Sequence, residues 1–325
     1  MAINEQRLHE LVDRAVADLA ASQGGVMITI GHQLGLYRAM NGAGPLTAGE
    51  VATRAGCAER YVREWLNSQA AGGYVDYDPA NGTYTLSPEQ AMLLADEDSP
   101  VFFPPAWEIS ASMWFDRERT RDAVASGDGI AWGDHHECLH RGVAGFFRGL
   151  YSASLVDEWL PALEAVTPKL EAGARVADIG CGYGHSTTLM AEAFPRSTFD
   201  GFDTHEPSIV RARENADASG CGDRLQYAVA DAKSYPANGY DLICFFDCLH
   251  DMGDPVGAAA HAREALAPDG TVMLVEPRAG DRVEDNLNPV GRLFYACSTA
   301  LCCAHSLSEE VGTALGAQAG ESRLI

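Results

Sequence analysis

For its size the chain is short of positive charge. Lys and Arg number 23 against 46 Asp and Glu in 325 residues, a formal net charge of −23, and no lysine occurs before Lys169. Such a surface repels phosphate backbones and anionic membranes on average, so a nucleic-acid partner is not expected. No stretch approaches the ~18 uninterrupted apolar residues of a membrane span, and no basic-then-apolar segment precedes a small-residue cleavage site. A membrane partner is therefore not expected, and the cytoplasm is the expected compartment. The nine cysteines contain no C-x-x-C pair and are odd in number. They read as reduced thiols used for packing, and no metal is expected. With 46 % hydrophobic and 21 % charged residues, disordered, collagenous and disulfide-scaffold classes are excluded. The length suggests about two domains.

The N-terminal part reads as helices followed by a hairpin. Leu8, Leu11, Val12, Ala15 and Leu19 form the stripe of an amphipathic helix over residues 5–22, and that stripe needs a partner. A second apolar stretch, 26–40, ends at the turn cluster Asn41-Gly42-Ala43-Gly44-Pro45. Thr47 and Glu50 form a T-x-x-E capping box for a short helix, and 58–71 is another helix closed by Gly72-Gly73. Two strand-like runs, 74–77 and 83–86, flank Asn81-Gly82, a strong hairpin signal. Helix, turn, helix, hairpin is a winged helix, placed at residues 1–99. Pro100, Pro104 and Pro105 mark the boundary. Residues 100–170 are expected to be a helical linker that caps the active site.

Beyond that, apolar runs of strand length at 175–179, 198–202, 225–230, 240–246 and 271–275 alternate with helix-sized segments. This predicts an α/β domain over 171–325 with a doubly wound, mostly parallel sheet. The first run enters a glycine-rich turn, Asp178-Ile179-Gly180-Cys181-Gly182-Tyr183-Gly184, at the strand's carboxyl end, where open α/β sheets bind ligands. A dinucleotide fingerprint G-x-G-x-x-G would need glycine at the sixth position, which is His185. The second run ends in Asp203-Thr204, the third leads into Asp231-Ala232, and the fourth ends at Asp247. Any one of these aspartates alone could be a turn residue or helix N-cap. The set, with its glycine turn, is specific.

The D-x-G-x-G-x-G turn resembles motif I of class I S-adenosylmethionine-dependent methyltransferases. The resemblance implies S-adenosylmethionine as cofactor, held by Asp178, Gly180, Cys181, Gly182 and Gly184, with Asp203 and Thr204 at the ribose. It also implies Asp231 and Ala232 at the adenine and Asp247 near the methionine moiety. Cys248-Leu249-His250-Asp251-Met252 and the run from Glu264 to Glu276 are similar to the H-D-W and E-A-L…G-x-V-x-V-x-E segments of winged-helix O-methyltransferases. That family implies His250 as general base and Glu276 as its orienting partner, although Met252 stands where the family has tryptophan. A hydroxyl is a poor nucleophile until its proton is removed, and imidazole titrates near neutral pH. The alternative reading of His250 is a wall of the cofactor pocket.

Nearly the whole chain, from about Leu8 to Gly320, also resembles bacterial proteins described both as methyltransferases and as transcriptional regulators. The resemblance to the O-methyltransferases implies a small-molecule acceptor and a homodimer formed through the winged helix, which also helps roof the substrate site. The competing class is a ligand-sensing DNA-binding regulator, against which the would-be recognition helix offsets Arg60 and Arg63 with Glu59 and Glu64. His135-His136-Glu137-Cys138-Leu139-His140 would place His136 and His140 at i, i+4 on a helix, but the H-E-x-x-H order is missing. Cys297, Cys302 and Cys303 with His305 lack a metal spacing and read as packing. After Glu276 only loop and helix-like sequence follows, at 288–303 and 307–320, so strands six and seven of such sheets are expected to be missing. The fifth strand would then be an exposed apolar edge.

Overall fold

The computed structural model describes residues 3–324. It divides into two compact units, residues 1–111 and 112–325, with the division inside one helix.

The first unit begins with a single helix, α1 (Glu5–Gln33), where the pattern suggested two. Gly24 and Gly25 do not break it. A Cβ at Gly25 would lie 2.4 Å from Trp107 Cδ1, and one at Gly31 would lie 2.4 Å from Trp65 Cζ2. Packing against indole rings thus outweighs the poor helix propensity of glycine. Short helix α2 (Leu36–Met40) follows. Next come α3 (Ala48–Ala55), started by the Thr47/Glu50 capping box, and α4 (Glu59–Ala71). The hairpin is β1 (Asp76–Asp78) with β2 (Thr83–Thr85), turned at Gly82 in a left-handed conformation (φ 66°). Leu46 adds a bridge to Tyr84, completing a three-stranded wing. Helix α5 (Pro88–Leu94) closes the unit around Ile28, Tyr37, Trp65, Leu66, Val75 and Leu94.

Helix α6 (Pro104–Phe115) carries the chain into the second unit, where α7 (Arg117–Ser126), α8 (Cys138–Ser154) and α9 (Val166–Ala172) precede the sheet. Its strands are β3 (Arg175–Ile179), β4 (Thr198–Asp203), β5 (Leu225–Val229), β6 (Tyr240–Phe246) and β7 (Leu266–Val275), all parallel, in the order β5-β4-β3-β6-β7. Helices α10 (His185–Ala193), α11 (Glu206–Ser219) and α12 (Pro255–Ala265) make the crossovers. Connections leave β3 toward β4 on one side and return to β6 on the other, so a crevice opens at its carboxyl end. The buried runs Val176–Ile179 and Leu242–Phe246 face apolar clusters on both sides of the sheet.

Strand β7 starts five residues earlier than the apolar run, because Leu266 pairs with Tyr240 before a register shift. Gly270 permits this, since a Cβ there would be 2.6 Å from the Tyr240 carbonyl oxygen. After β7 the described residues add α13 (Pro289–Ala300), α14 (Cys302–Ser308) and α15 (Glu321–Leu324) and no strand. Most of 307–320 is loop, contrary to the helix-like pattern. It is tied by the Ala314 amide donating to Ser306 Oγ (2.9 Å) and Gly316 N to the His250 carbonyl (3.2 Å). β7 is an edge strand, with Val272 and Leu274 exposed.

Candidate functional site

The glycine turn sits at the carboxyl end of β3. Gly180, Gly182 and Gly184 have φ of 72°, 52° and 71°, values that β-carbon sterics disfavour. The amides of Gly180 and Cys181 both donate to the Phe202 carbonyl (2.8 and 3.0 Å), drawing the turn over the end of β4. Two of these glycines are also required by protein packing. A Cβ at Gly184 would lie 2.5 Å from Tyr227 Oη, and one at Gly180 would lie 2.9 Å from Cys248 Sγ. Tyr227, whose ring also needs Gly201, supports the turn from β5, a role invisible in the spacing of the motif. Beside Gly182 a Cβ would meet nothing within 4 Å, so this part of the turn borders open space. Buried Cys181 turns its Sγ toward Gly201.

Asp178 is fully buried. Its Oδ2 accepts from Ser186 Oγ (2.6 Å) and Thr187 Oγ1 (2.7 Å), while its Oδ1, equally buried, has no donor. Burial raises its pKa to about 6 against the pull of those two hydroxyls, with a small further push from Asp203. Asp203 accepts from Gly182 N (2.9 Å) and His205 N (2.8 Å), so one carboxylate fastens the glycine turn to the end of β4. Thr204 is exposed beside it, and Asp231 accepts from Lys233 N (2.7 Å) while Ala232 packs near Tyr235. Asp203 and Asp231 thus both make the local bond of a turn residue, and both stand at ends of the sheet strands flanking the crevice.

A second group gathers where β6 and β7 end. Asp247 has φ 54°, uncommon for a residue with a side chain, and its amide donates to the Val275 carbonyl (2.7 Å). The 3-10 turn Leu249–Asp251 follows, and Glu276 holds it: one carboxylate oxygen accepts from Leu249 N (2.9 Å), the other pairs with His250 Nδ1. His250, 3 % exposed, meets Asp251 Oδ1 with its Nε2 at 3.0 Å, off the axis of an aligned hydrogen bond. Donor atoms of Asp247, His250 and Glu276 all lie within 4.8 Å of one another, and so do those of His250, Asp251 and Cys302. Burial disfavours the imidazolium, but the charge of Asp251 beside it, with the contacts to Cys302 and Glu276, outweighs burial and raises the pKa of His250. Burial likewise pushes the Asp247 carboxyl well up, so it keeps its proton far longer than an exposed one.

Several residues found here had no motif. Tyr151, on α8, lies beside Phe246 at the end of β6 in a tilted arrangement (5.5 Å between ring centroids), and burial, then the charges of Asp247 and Asp178, raise its pKa. Cys302, read as packing, is also a neighbour of His250. In the histidine segment the conditional i, i+4 placement of His136 and His140 is not realised. Helix α8 starts at Cys138, so His136 precedes it and accepts from Cys138 N (3.3 Å), while His140 stacks on His205 (4.1 Å). His136 and His140 therefore do not share a helix face. In the first unit, Arg60 bonds Glu64 at 2.6 Å and Arg63 pairs with Glu59, so both arginines of α4 are offset by acids. Among the described residues no helix is long and apolar enough to cross a membrane.

Comparison with known proteins follows the same division. Residues 22–96 match the Rv2258c-like winged HTH domain, and residues 151–308 match a methyltransferase domain. Trans-aconitate 2-methyltransferase of Streptomyces avermitilis is 35 % identical over 105 residues, covering 32 % of this chain and 39 % of the relative. 27-O-demethylrifamycin SV methyltransferase of Amycolatopsis mediterranei is 33 % identical over 107 residues, 32 % of this chain and 39 % of the relative. The chain spans about two fifths of the length of such curated relatives. Among solved structures, mitomycin 7-O-methyltransferase superposes with a TM-score of 0.67 at 22 % identity, over 98 % of this chain and 90 % of that one. Human N-acetylserotonin methyltransferase, in complex with SAM, superposes with a TM-score of 0.65 at 16 % identity, over 93 % and 88 %.

Proposed function

We propose that this chain, a class I methyltransferase fold behind a winged-helix domain, transfers a methyl group from S-adenosylmethionine to a hydroxyl of a small molecule, with His250 as the base. The observation that carries this reading is the His250–Glu276 pair beside the glycine turn, at the carboxyl ends of β6 and β7. The oxygen acceptor is supported by the structural neighbours, which include a 7-O-methyltransferase.

The residues present fit the cofactor. Open space borders Gly182, and the buried Oδ1 of Asp178 lacks a donor that a bound ligand can supply. Gly180, Gly182 and Gly184 would hold its amino-acid part, Asp203 the ribose, Asp231 the adenine, and Asp247 the side of the methionine moiety. When bound, S-adenosylmethionine supplies a methyl group already activated by a positive sulfur. The protein must align the acceptor with it and remove one proton. Glu276, accepting from Nδ1–H, fixes the tautomer in which Nε2 carries the lone pair. Nε2 then takes the acceptor's hydroxyl proton, and the imidazolium formed lies between Glu276 and Asp251. These carboxylates make His250 a stronger base but leave less of it unprotonated at neutral pH.

The chain works as a homodimer in this reading, because Leu8, Leu11, Val12, Val16 and Leu19 stay exposed along α1. A DNA-reading regulator is the weaker alternative, since both α4 arginines are paired.

Titration calorimetry tests the cofactor: S-adenosylhomocysteine binds and NAD does not, whereas the reverse result overturns the reading. His250→Ala should keep that affinity and lower turnover by about 10²–10⁴, the usual worth of a positioned base. The acceptor itself comes from labelling a metabolite extract with a radioactive methyl donor. A His250→Ala enzyme with full turnover on that acceptor would reduce His250 to a wall of the pocket.

A further inference from the structure

The far side of His250 from Glu276 holds an unusual set of atoms. Asp251 lies in the 3-10 turn after β6 and Cys302 opens α14, more than fifty residues later, yet His250, Asp251 and Cys302 each bring a donor atom within 4.8 Å of the other two. His250 and Cys302 are buried, and Asp251 Oδ1 is a buried oxygen with no aligned donor although it stands 3.0 Å from Nε2. Imidazole, thiolate and carboxylate are the three ligand types of a zinc site.

From these atoms we infer that His250 Nε2, Cys302 Sγ and Asp251 form a three-ligand site for a zinc-class divalent cation, with a fourth position left for water or another small ligand. Bonds of about 2.0–2.3 Å at tetrahedral angles separate ligand atoms by about 3.3–3.6 Å. The three donors lie within 4.8 Å of one another, with Nε2 and Asp251 Oδ1 at 3.0 Å, so an ion would have to draw the set together by side-chain movement. The other nitrogen supports the assignment. Glu276 pairs with Nδ1, and a metal-bound histidine nearly always gives its second N–H to a carboxylate or carbonyl. Charge supports it too. Asp251 and Glu276 flank one imidazole, in a chain of net charge −23.

Binding balances as an exchange: the ion takes the Nε2 lone pair and the Cys302 sulfur, and the protons those atoms carry go to solvent. An occupied site therefore removes the lone pair that accepts the acceptor's proton. That consequence, unlike the site, rests on His250 being the base. The cation is then a reversible inhibitor rather than a helper of methyl transfer.

Cobalt(II) tests the site without reference to activity. The full chain, first treated with a chelator, is titrated with Co²⁺, and zinc is then added in competition. A thiolate-to-cobalt charge-transfer band with visible d–d bands, abolished by zinc, is expected. Cys302→Ser should lose the charge-transfer band and bind zinc at least about tenfold more weakly, whereas Cys303→Ser keeps both. Wild-type protein without the thiolate band, or a band that survives in Cys302→Ser, overturns the site, and the wild-type result stands even if a variant folds poorly. Turnover separates the two readings. Stoichiometric zinc should lower it at least tenfold and a chelator restore it. The band with undiminished turnover leaves the metal site in place and overturns His250 as the base.

Discussion

At the scale of single residues, ionisable groups here are governed by what surrounds them. Asp178 has its pKa raised to about 6, chiefly by burial. The native state thus keeps a proton that the unfolded chain has released, and stability falls as pH rises from about 4 to about 6. A shift of that size is on the order of 2–3 kcal/mol at neutral pH. Asp178→Asn can still accept from Ser186 and Thr187 but carries no charge. Melting without cofactor should show the variant gaining on the wild type between pH 4 and 7, with weaker S-adenosylhomocysteine binding; parallel melting curves across that range would refute the burial argument. For His250 the shift is upward, so with His250 as the proposed base the ascending limb of turnover against pH should lie above the 6.5 of an ordinary imidazole. Asp251→Asn removes one facing charge and should move that limb down by about 1–3 pH units. An unmoved limb would mean that Asp251 does not act on His250.

Among the elements, α1 and β7 depart most from their local patterns. Helix α1 runs straight through glycines because Trp65 and Trp107 occupy the space of their missing side chains. Gly31→Ala raises helix propensity by about 1 kcal/mol yet forces a methyl into an indole. Overpacking of this kind costs about 1–3 kcal/mol, so denaturant melts should show a net loss of stability for the variant. A gain would mean that Trp65 yields easily. β7 extends past its apolar run because pairing with Tyr240 organises residues that carry no strand signal. Its exposed Val272 and Leu274 match the apolar edge anticipated from the missing strand-like sequence after Glu276.

For the whole molecule, the N-terminal stripe on α1 is a run of exposed apolar residues. Leu11 and Leu19 are 51 % and 63 % exposed, and nothing among the described residues covers them. Light scattering after gel filtration should give a dimer for the wild type and a monomer for the Leu11→Glu, Leu19→Glu double variant, because two charges cannot be buried in such a face without partners. A wild-type monomer would count against the helix as the dimer contact.

The two-domain order, the five parallel strands and the strand-end positions of Asp178, Asp203, Asp231, Asp247, His250 and Glu276 were legible in the sequence. Each depends on local periodicity, glycine turns or short motif spacing, which are properties of neighbouring residues. The helix boundary at Cys138, the continuity of α1 and the loop over most of 307–320 were not, because packing and distant hydrogen bonds override propensity there. Only the tertiary structure brought Tyr227 under the glycine turn, Tyr151 toward the strand ends and Cys302 to His250. Those pairings join residues tens of positions apart, and no period or motif encodes a distance that the folding of the sheet creates. The same holds for the surroundings of His250: the sequence supplies a histidine followed by an aspartate, and the fold turns both ring nitrogens to carboxylates.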